Sequence, residues 1–306
     1  LSLACALLVQ PGDTVMMENP GYQGAVRAFR MCGAKIIGIP VDSNGMRVDV
    51  LEQMLRDCRP KLIYTVPSFQ VPTGATLDPD RRAHLYRLAE SHQIPILEDE
   101  YANALYYGDP PPPPVKALDR AGLVVYIGTF SKTLGASMRL GWISAHPAMI
   151  AALVQVKEVQ DIHTSIFSQL VAERLLREGT YDDHLETLRN HYGLRYRALL
   201  VALNKKLGGR LCYHPSGGGF SLWIAVPEGA NATEWLSQAK TRGVNFERGS
   251  PYFLDADNDN YVRLSFSLLS MSSIKPAGDV LASSLDDAIE QGGHQPAKRD
   301  LCVPFV

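Results

Sequence analysis

Short apolar, β-rich runs alternate with helical periods over residues 1–145, and this alternation constrains the fold more than any other feature of the sequence. It is typical of strands that are laid parallel by crossover helices. We therefore predict an α/β fold with an open, mostly parallel sheet. The predicted strands cover residues 14–18, 34–41, 61–68, 94–101 and 123–130, with an antiparallel or edge strand at 139–145. The intervening helices are predicted at residues 22–32, 48–57 and 79–92.

The pattern changes after residue 146. It is almost entirely helical to about residue 207 and then alternates strands with helices, which predicts a smaller α+β unit. We expect a large domain over residues 1–190, a small C-terminal domain over residues 191–291 and a loosely ordered tail over residues 292–306. Because Leu1 stands inside an apparent helix, we also expect that the N-terminal part of the large domain is missing from this chain.

The composition favours a sizeable core and small partners. Hydrophobic residues make up 46% of the 306 residues, and the formal net charge is only −2, which gives no electrostatic footprint for nucleic acid. No apolar run approaches the roughly 18 residues of a membrane span. The 5 cysteines are scattered and do not stand at metal-ligand spacing. They predict reduced thiols, a cytoplasmic location and no metal site.

Polar and charged side chains follow directly after several predicted strands. "ENPGY" follows the first strand, "EDEY" ends the fourth, and "GTFSK" follows the fifth. In an open α/β sheet, ligands bind at the carboxyl ends of the strands, so we expect these side chains to converge on one rim. The residues concerned are Tyr22, Asp99, Tyr101, Thr129, Ser131, Lys132 and, a little further on, Arg139.

The chemistry of these groups points to a single ligand. The lysine can act as a Schiff-base nucleophile toward an aldehyde. The two hydroxyls and the arginine suit a phosphate, and the aspartate suits a protonated ring nitrogen. One tyrosine can donate to a ring oxygen and the other can stack on the ring. An aldehyde, a phosphate, a pyridinium and a phenolate together describe pyridoxal 5'-phosphate.

The chain resembles the fold-type-I aminotransferases of class I and II, which use pyridoxal phosphate. The motifs that carry the likeness are "ENPGY", "PSFQVPTG", "EDEY", "GTFSKTLGASMRLGW", "DIHTS", "GGGFSLW" and "VRLSFS", and they extend it over residues 1–291. The branch concerned joins 2-aminoadipate aminotransferases with the aminotransferase-like domains of MocR transcription regulators. The resemblance implies a homodimer that transfers an amino group from an α-amino acid to a 2-oxo acid.

The resemblance also implies a role for each residue. Lys132 would bind the cofactor as a Schiff base and carry the proton of the substrate Cα, Asp99 would pair with the ring nitrogen, and Tyr101 would tune the phenolic oxygen. These are the expected catalytic residues. Tyr22 would stack on the ring, and Arg263 would bind the α-carboxylate of the substrate. The phosphate would be bound by Thr129, Ser131 and Arg139.

Two other interpretations stay open. Many aminotransferases carry an asparagine before Pro-Thr-Gly, which bonds the phenolic oxygen of the cofactor, whereas this chain has Val71. MocR-type sequences vary at this position, so Val71 favours a sensor domain of a regulator, whose DNA contacts would need an upstream winged-helix domain. "GGFSLW" is typical of the enzymes instead. A β-eliminating lyase would use the same residues, and substrate tests would distinguish it.

Overall fold

The computed structural model describes residues 1–213, 215–255, 258–291 and 303–304. The first sheet consists of β1 (Thr14–Asn19), β2 (Lys35–Asp42), β3 (Gly45–Met46), β4 (Leu62–Thr65), β5 (Ile96–Asp99), β6 (Val124–Thr129) and β7 (Gly141–Ser144). The strand order is β3-β2-β1-β4-β5-β6-β7. The five central strands, β2, β1, β4, β5 and β6, are parallel to one another. The edge strands β3 and β7 pair antiparallel with β2 and β6. The predicted α/β fold is therefore confirmed, including the antiparallel edge strand, whereas β3 is an addition to the prediction.

The helices are close to the predicted positions. They are α1 (Ser2–Leu8), α2 (Gln23–Met31), α3 (Val48–Met54), α4 (Pro79–His92), α5 (Pro147–Gln160), α6 (Ile166–Arg177), α7 (Thr180–Leu207), α8 (Ala232–Thr241) and α9 (Met271–Gln291). The carboxylate of Asp78 caps α4 by accepting from the backbone N–H of Asp80, and the helix ends at Gln93 in the left-handed region. Within the described ranges, none of these helices is both long and apolar enough to cross a bilayer.

The parallel sheet is buried on both faces. Val15 and Met17 of β1 pack with Phe29 of α2 on one face. Met16, between them, packs with Leu51 of α3 on the other face. Because neighbouring residues of a strand point to opposite faces, burial of both faces requires a continuous apolar run rather than an alternating one. This requirement explains why the strands were visible in the sequence.

The second sheet is antiparallel and belongs to the smaller unit. Its strands are β8 (Cys212–Tyr213), β9 (Ser221–Ala225), β10 (Glu247–Arg248), β11 (Tyr261–Ser265) and β12 (Val303–Pro304), in the order β10-β11-β9-β8-β12. Leu222 and Val262 face a core shared with Trp235 of α8. Trp223 and Tyr261 face the opposite way and stack at 5.2 Å between ring centroids. This second face is turned toward the cavity described below.

The long helix α7 contacts both units. Near its start, Leu185 packs with Leu105 of the large unit. Further along, Leu203 packs with Leu222 of the small unit. We propose that the domain boundary lies within α7 near residue 190. Apart from β12, the predicted tail over residues 292–306 lies outside the described residues.

The cysteines differ from the prediction in one respect. Cys5, Cys32 and Cys58 are free thiols. Cys212 is disulfide-bonded, so the prediction of reduced thiols is wrong for this residue. A disulfide requires that the fold bring two Cα atoms within about 7 Å, and the spacing of cysteines along the chain does not reveal that distance. Cys302 lies outside the described residues.

Candidate functional site

A cavity of about 990 Å³ lies at the carboxyl ends of β5 and β6, where the two sheets face each other. The large domain supplies the floor of the cavity. The opposite wall is supplied by β11, by Glu247 of β10, and by Phe220 and Tyr252. The lining includes every site residue predicted from the sequence, namely Tyr22, Asp99, Tyr101, Thr129, Ser131, Lys132, Arg139 and Arg263.

Lys132 lies in the turn that follows β6. The carbonyl of Phe130 closes this turn by accepting backbone hydrogen bonds from Leu134 and Gly135, at 2.8 and 3.3 Å. Lys132 Nζ lies 5.5 Å from the ring centroid of Phe220, which comes from the small domain. In the part of the chain that the structure describes, no hydrogen bond or ion pair engages this amine. It is therefore available to a ligand.

Asp99 is a buried carboxylate, with 9% of the residue exposed. The hydroxyl of Tyr64, on the neighbouring strand β4, donates to Asp99 Oδ2 at 2.9 Å. Burial raises the pKa of Asp99, whereas the hydrogen bond from Tyr64 lowers it. A protonated ring nitrogen placed against this carboxylate would favour its charged form, because an opposite charge nearby offsets the cost of burial.

Glu18, at the end of β1, forms a second buried acidic group beneath the cavity. Its Oε1 accepts from Thr65 Oγ1 at 2.6 Å and from the backbone N–H of Val66 at 2.9 Å. Its Oε2 has no hydrogen-bond partner among the described residues. Burial raises the pKa of Glu18 to about 7. Sequence reasoning assigned no role to Glu18 or Tyr64, although both belong to predicted strands that it singled out.

Glu100 points away from the cavity that its neighbour Asp99 lines. Glu100 Oε1 accepts from Ser68 Oγ at 2.8 Å and lies 3.5 Å from Arg82 Nη1. Burial raises the pKa of Glu100 to about 8. Successive residues of a strand point to opposite faces, and Asp99 alone of this pair lines the cavity.

The two tyrosines take up different positions. Tyr101 donates its hydroxyl hydrogen to the carbonyl of Phe69 at 2.9 Å, and its ring meets Phe220 edge-on at 6.0 Å. Burial raises the pKa of Tyr101. Tyr22 is half-exposed beside the start of α2, and its ring lies over Gly24. A Cβ at Gly24 would stand 2.4 Å from Tyr22 Cζ, so the glycine leaves room for the ring in this position.

The predicted phosphate-binding residues lie together around the Lys132 turn. Thr129 Oγ1 accepts from the backbone N–H of Ser131 at 3.1 Å. Arg139 has a φ of 48°, in the left-handed region, and its guanidinium has no hydrogen-bond or ion-pair partner among the described residues. An unpaired guanidinium beside hydroxyls is a suitable site for an anion.

Arg263 is not a free strand-edge cation. Its Nε donates to Ser221 Oγ at 3.0 Å, and its Nη1 donates to Glu247 Oε2 at 2.7 Å. The same Oε2 accepts from the hydroxyl of Tyr252 at 2.5 Å. Sequence reasoning missed Glu247 and Tyr252. Glu247 is the cross-strand partner of Arg263, and the register of β10 against β11 cannot be read from such a short strand.

Val71 lines the cavity on the side of the small domain. It packs against the aromatic cluster that contains Trp223, Tyr252 and Tyr261. The side chain at this position is therefore apolar. Val71 cannot form the hydrogen bond to the phenolic oxygen of the cofactor that an asparagine forms in many aminotransferases. The hydroxyl of Tyr101 is another donor that lines the same cavity.

The donor set fits pyridoxal phosphate. Lys132 presents a free amine to an aldehyde, Asp99 presents a buried carboxylate to a protonated ring nitrogen, and Arg139 presents a free guanidinium to a phosphate. The carboxylate and the guanidinium each carry the charge opposite to the part of the cofactor that they would contact. The amine is the nucleophile that an aldehyde requires.

Comparison with known proteins agrees with this chemistry. The chain matches the family described as aminotransferase class I and II over residues 1–281. The aromatic-amino-acid aminotransferase 1 of Thermococcus litoralis is 33% identical, over 95% of this chain and 71% of that protein. The probable rhizopine catabolism regulatory protein MocR of Rhizobium meliloti is 28% identical, over 99% of this chain and 61% of that protein.

A solved structure gives the same picture. The crystal structure of the α-aminoadipate aminotransferase of Thermus thermophilus, in complex with N-(5'-phosphopyridoxyl)-L-leucine, superposes with a TM-score of 0.89. It is 31% identical, over 95% of this chain and 75% of that chain. The likeness inferred from the motifs is therefore confirmed for both the enzymes and the regulators.

Proposed function

Because this chain belongs to the class I and II aminotransferases and is a pyridoxal-phosphate-dependent enzyme of that family, we propose that Lys132, Asp99 and Tyr101 are its catalytic residues. The reaction moves an amino group from an α-amino acid to a 2-oxo acid. The observation that carries the assignment is that a free amine, a buried carboxylate and a phenol line one cavity at the strand ends.

Pyridoxal phosphate, when bound, supplies an aldehyde for amino groups and a ring that accepts the electrons left when the Cα proton departs. Lys132 Nζ removes and returns that proton as the general base. Asp99 keeps the ring nitrogen protonated, and Tyr64 orients the carboxylate by donating to Oδ2 at 2.9 Å. Tyr101 donates toward the ring oxygen once its hydroxyl leaves the carbonyl of Phe69.

The remaining residues hold the two ligands in place. Thr129, Ser131 and Arg139 bind phosphate, and Tyr22 stacks on the ring. Arg263 binds the α-carboxylate of the substrate from the small domain, with its Nε held by Ser221 at 3.0 Å. A guanidinium in this position recognises a carboxylate through its planar fork of donors.

We propose that the protein is a homodimer and acts in the cytoplasm. The support for a dimer is an apolar face on α5, α6 and the segment between them, beside the cavity. Val159, Ile162, Phe167 and Leu170 on this face are 88%, 75%, 76% and 60% exposed. Such a face is costly to leave in water, and Val154 of α5 lines both this face and the cavity. A second copy that covers the face would complete the cavity wall.

Two classes of amino acid, aromatic and dicarboxylic, are candidate substrates. The relatives are named for aromatic amino acids and for α-aminoadipate, which is dicarboxylic. The competing function is that of the effector-binding domain of a MocR-type regulator, and the observation that favours it is Val71 on the cavity wall.

The visible absorption spectrum of the protein with pyridoxal phosphate tests the proposal. We expect an absorption band of the bound cofactor that is present only when Lys132 is present. Addition of an amino acid should change this band and release the corresponding 2-oxo acid. A band that responds to amino acids without release of an oxo acid would support the regulator. A band that persists unchanged in Lys132→Ala would contradict the assignment of the lysine. Release of ammonia with the oxo acid would indicate a lyase.

A further inference from the structure

Arg263 already has an anionic partner within the chain. Glu247 lies 2.7 Å from Arg263 Nη1, and both residues line the cavity. The side chain of Arg263 is 11% exposed, whereas that of Glu247 is 57% exposed. The carboxylate therefore stands at the rim of the pocket in which a substrate carboxylate would meet the guanidinium.

Glu247 is fixed in this position by a second bond. Tyr252 donates to the same Oε2, and its ring packs against Trp223 at 5.8 Å. Burial raises the pKa of Glu247, but the hydrogen bonds from Tyr252 and Arg263 and the charge of Arg263 outweigh it and hold the pKa below its usual range. The side chain is therefore an anion at neutral pH.

The other cations that line the cavity come from the large-domain side, and one of them, Arg27 of α2, donates to the neutral Gln23 at 2.7 Å. Lys157 is paired with Asp161 at 2.6 Å on the far wall. Lys132 and Arg139 lie at the cofactor end, where the proposed function requires them for the aldehyde and the phosphate. In the described part of the cavity, a ligand group near Arg263 therefore meets a guanidinium whose charge Glu247 has largely neutralised.

We infer that Glu247 is a specificity-determining residue that selects α-amino acids whose side chains carry no negative charge. This inference rests on the proposed function and names its substrate class. The α-carboxylate can still bind the Arg263 fork through Nη2, which no described residue engages. A second carboxylate near Arg263 is repelled by Glu247. For two like charges in one pocket at an effective dielectric of about 20, partly screened by water, this repulsion is worth roughly a tenfold preference.

The kinetic test compares glutamate with glutamine, which have the same length and differ in charge. The wild-type protein, loaded with pyridoxal phosphate, is compared with Glu247→Gln, which keeps the hydrogen bonds and removes the charge. We expect the ratio of kcat/KM for glutamate to that for glutamine to rise roughly tenfold in the variant, mainly through KM. Glu186→Gln, an exposed charge change on α7, is the matched control and should leave the ratio unchanged. An unchanged ratio in Glu247→Gln would overturn the inference.

A binding test separates this inference from the proposed function. Calorimetry measures the Kd of glutarate and of pentanoate, which have the same chain length and carry two charges and one. We expect Glu247→Gln to strengthen glutarate binding roughly tenfold more than pentanoate binding. If the wild type releases no oxo acid from any amino acid but this difference appears, the proposed function fails and the selectivity stands. If neither anion binds to either protein, or both gain equally, the selectivity fails.

Discussion

The two walls of the cavity hold their charged groups in different ways. On the large-domain wall, Asp99 is buried and is held by Tyr64 from the neighbouring strand. On the small-domain wall, Arg263 is held by Glu247, whose side chain is 57% exposed. A buried group is held in position by the sheet, whereas an exposed partner can give way to a ligand. Chemistry and selectivity should therefore respond separately to mutation.

The largest effect is expected from Lys132→Ala. Loss of the only proposed proton carrier should lower kcat by roughly 10³-fold or more, because general acid–base catalysis contributes on that scale. Folding should be unaffected, since Lys132 contributes no ion pair among the described residues. Oxo-acid release in single-turnover experiments measures the loss. Lys205→Ala, at an exposed position of α7, is the control. Retention of kcat within tenfold would exclude Lys132 as the base.

Asp99→Asn should separate activity from stability. The amide still accepts from Tyr64 but no longer holds a ring proton, so kcat should fall by roughly 10²-fold. Burial raises the folded-state pKa of Asp99, so its contribution to stability is present at low pH and is lost as the pH rises through that pKa. The cofactor-free variant should therefore be more stable than the wild type at pH 8. Urea unfolding checks this, and a large loss of stability would contradict the account.

Glu18→Gln tests the buried floor without touching a ligand. The pKa of Glu18 rises from 4.5 to about 7 in the folded state, so the contribution of Glu18 to stability is fully present below pH 4.5 and is lost as the pH rises through about 7. Above pH 7 the variant should be more stable than the wild type by up to about 3 kcal/mol. Below pH 4.5 the gain should vanish. Urea unfolding at both pH values measures the difference, and a gain that does not depend on pH would contradict the prediction.

The smallest effect is expected on the small-domain wall. Ser221→Ala removes the acceptor that holds Arg263 Nε, a bond worth about 1 kcal/mol. KM for the amino acid should rise by roughly fivefold with kcat nearly unchanged, because the bond positions a binding group rather than a reacting one. Initial rates over a range of substrate concentrations distinguish the two constants. A fall in kcat without a change in KM would place Ser221 in the chemistry instead.

Much of the large domain was predictable because its strands are buried on both faces. A continuous apolar run that ends in polar residues marks both a central strand and the position of its carboxyl end. The bounds of α4 also matched, because Asp78 and Pro79 are start signals that act within one turn. The short strands β3 and β8 carry too few residues for any period, so no pattern in the sequence predicts them.

The sequence by itself determined the α/β fold, the family and eight of the residues that line the cavity, since each depends on local patterns and on motifs in a given order. Only the tertiary structure decided that Tyr64 supports Asp99 and that Glu247 neutralises Arg263. Both pairs join neighbouring strands, and their contacts depend on strand order and register. Nothing in the local sequence encodes which side chain will stand opposite another across a sheet.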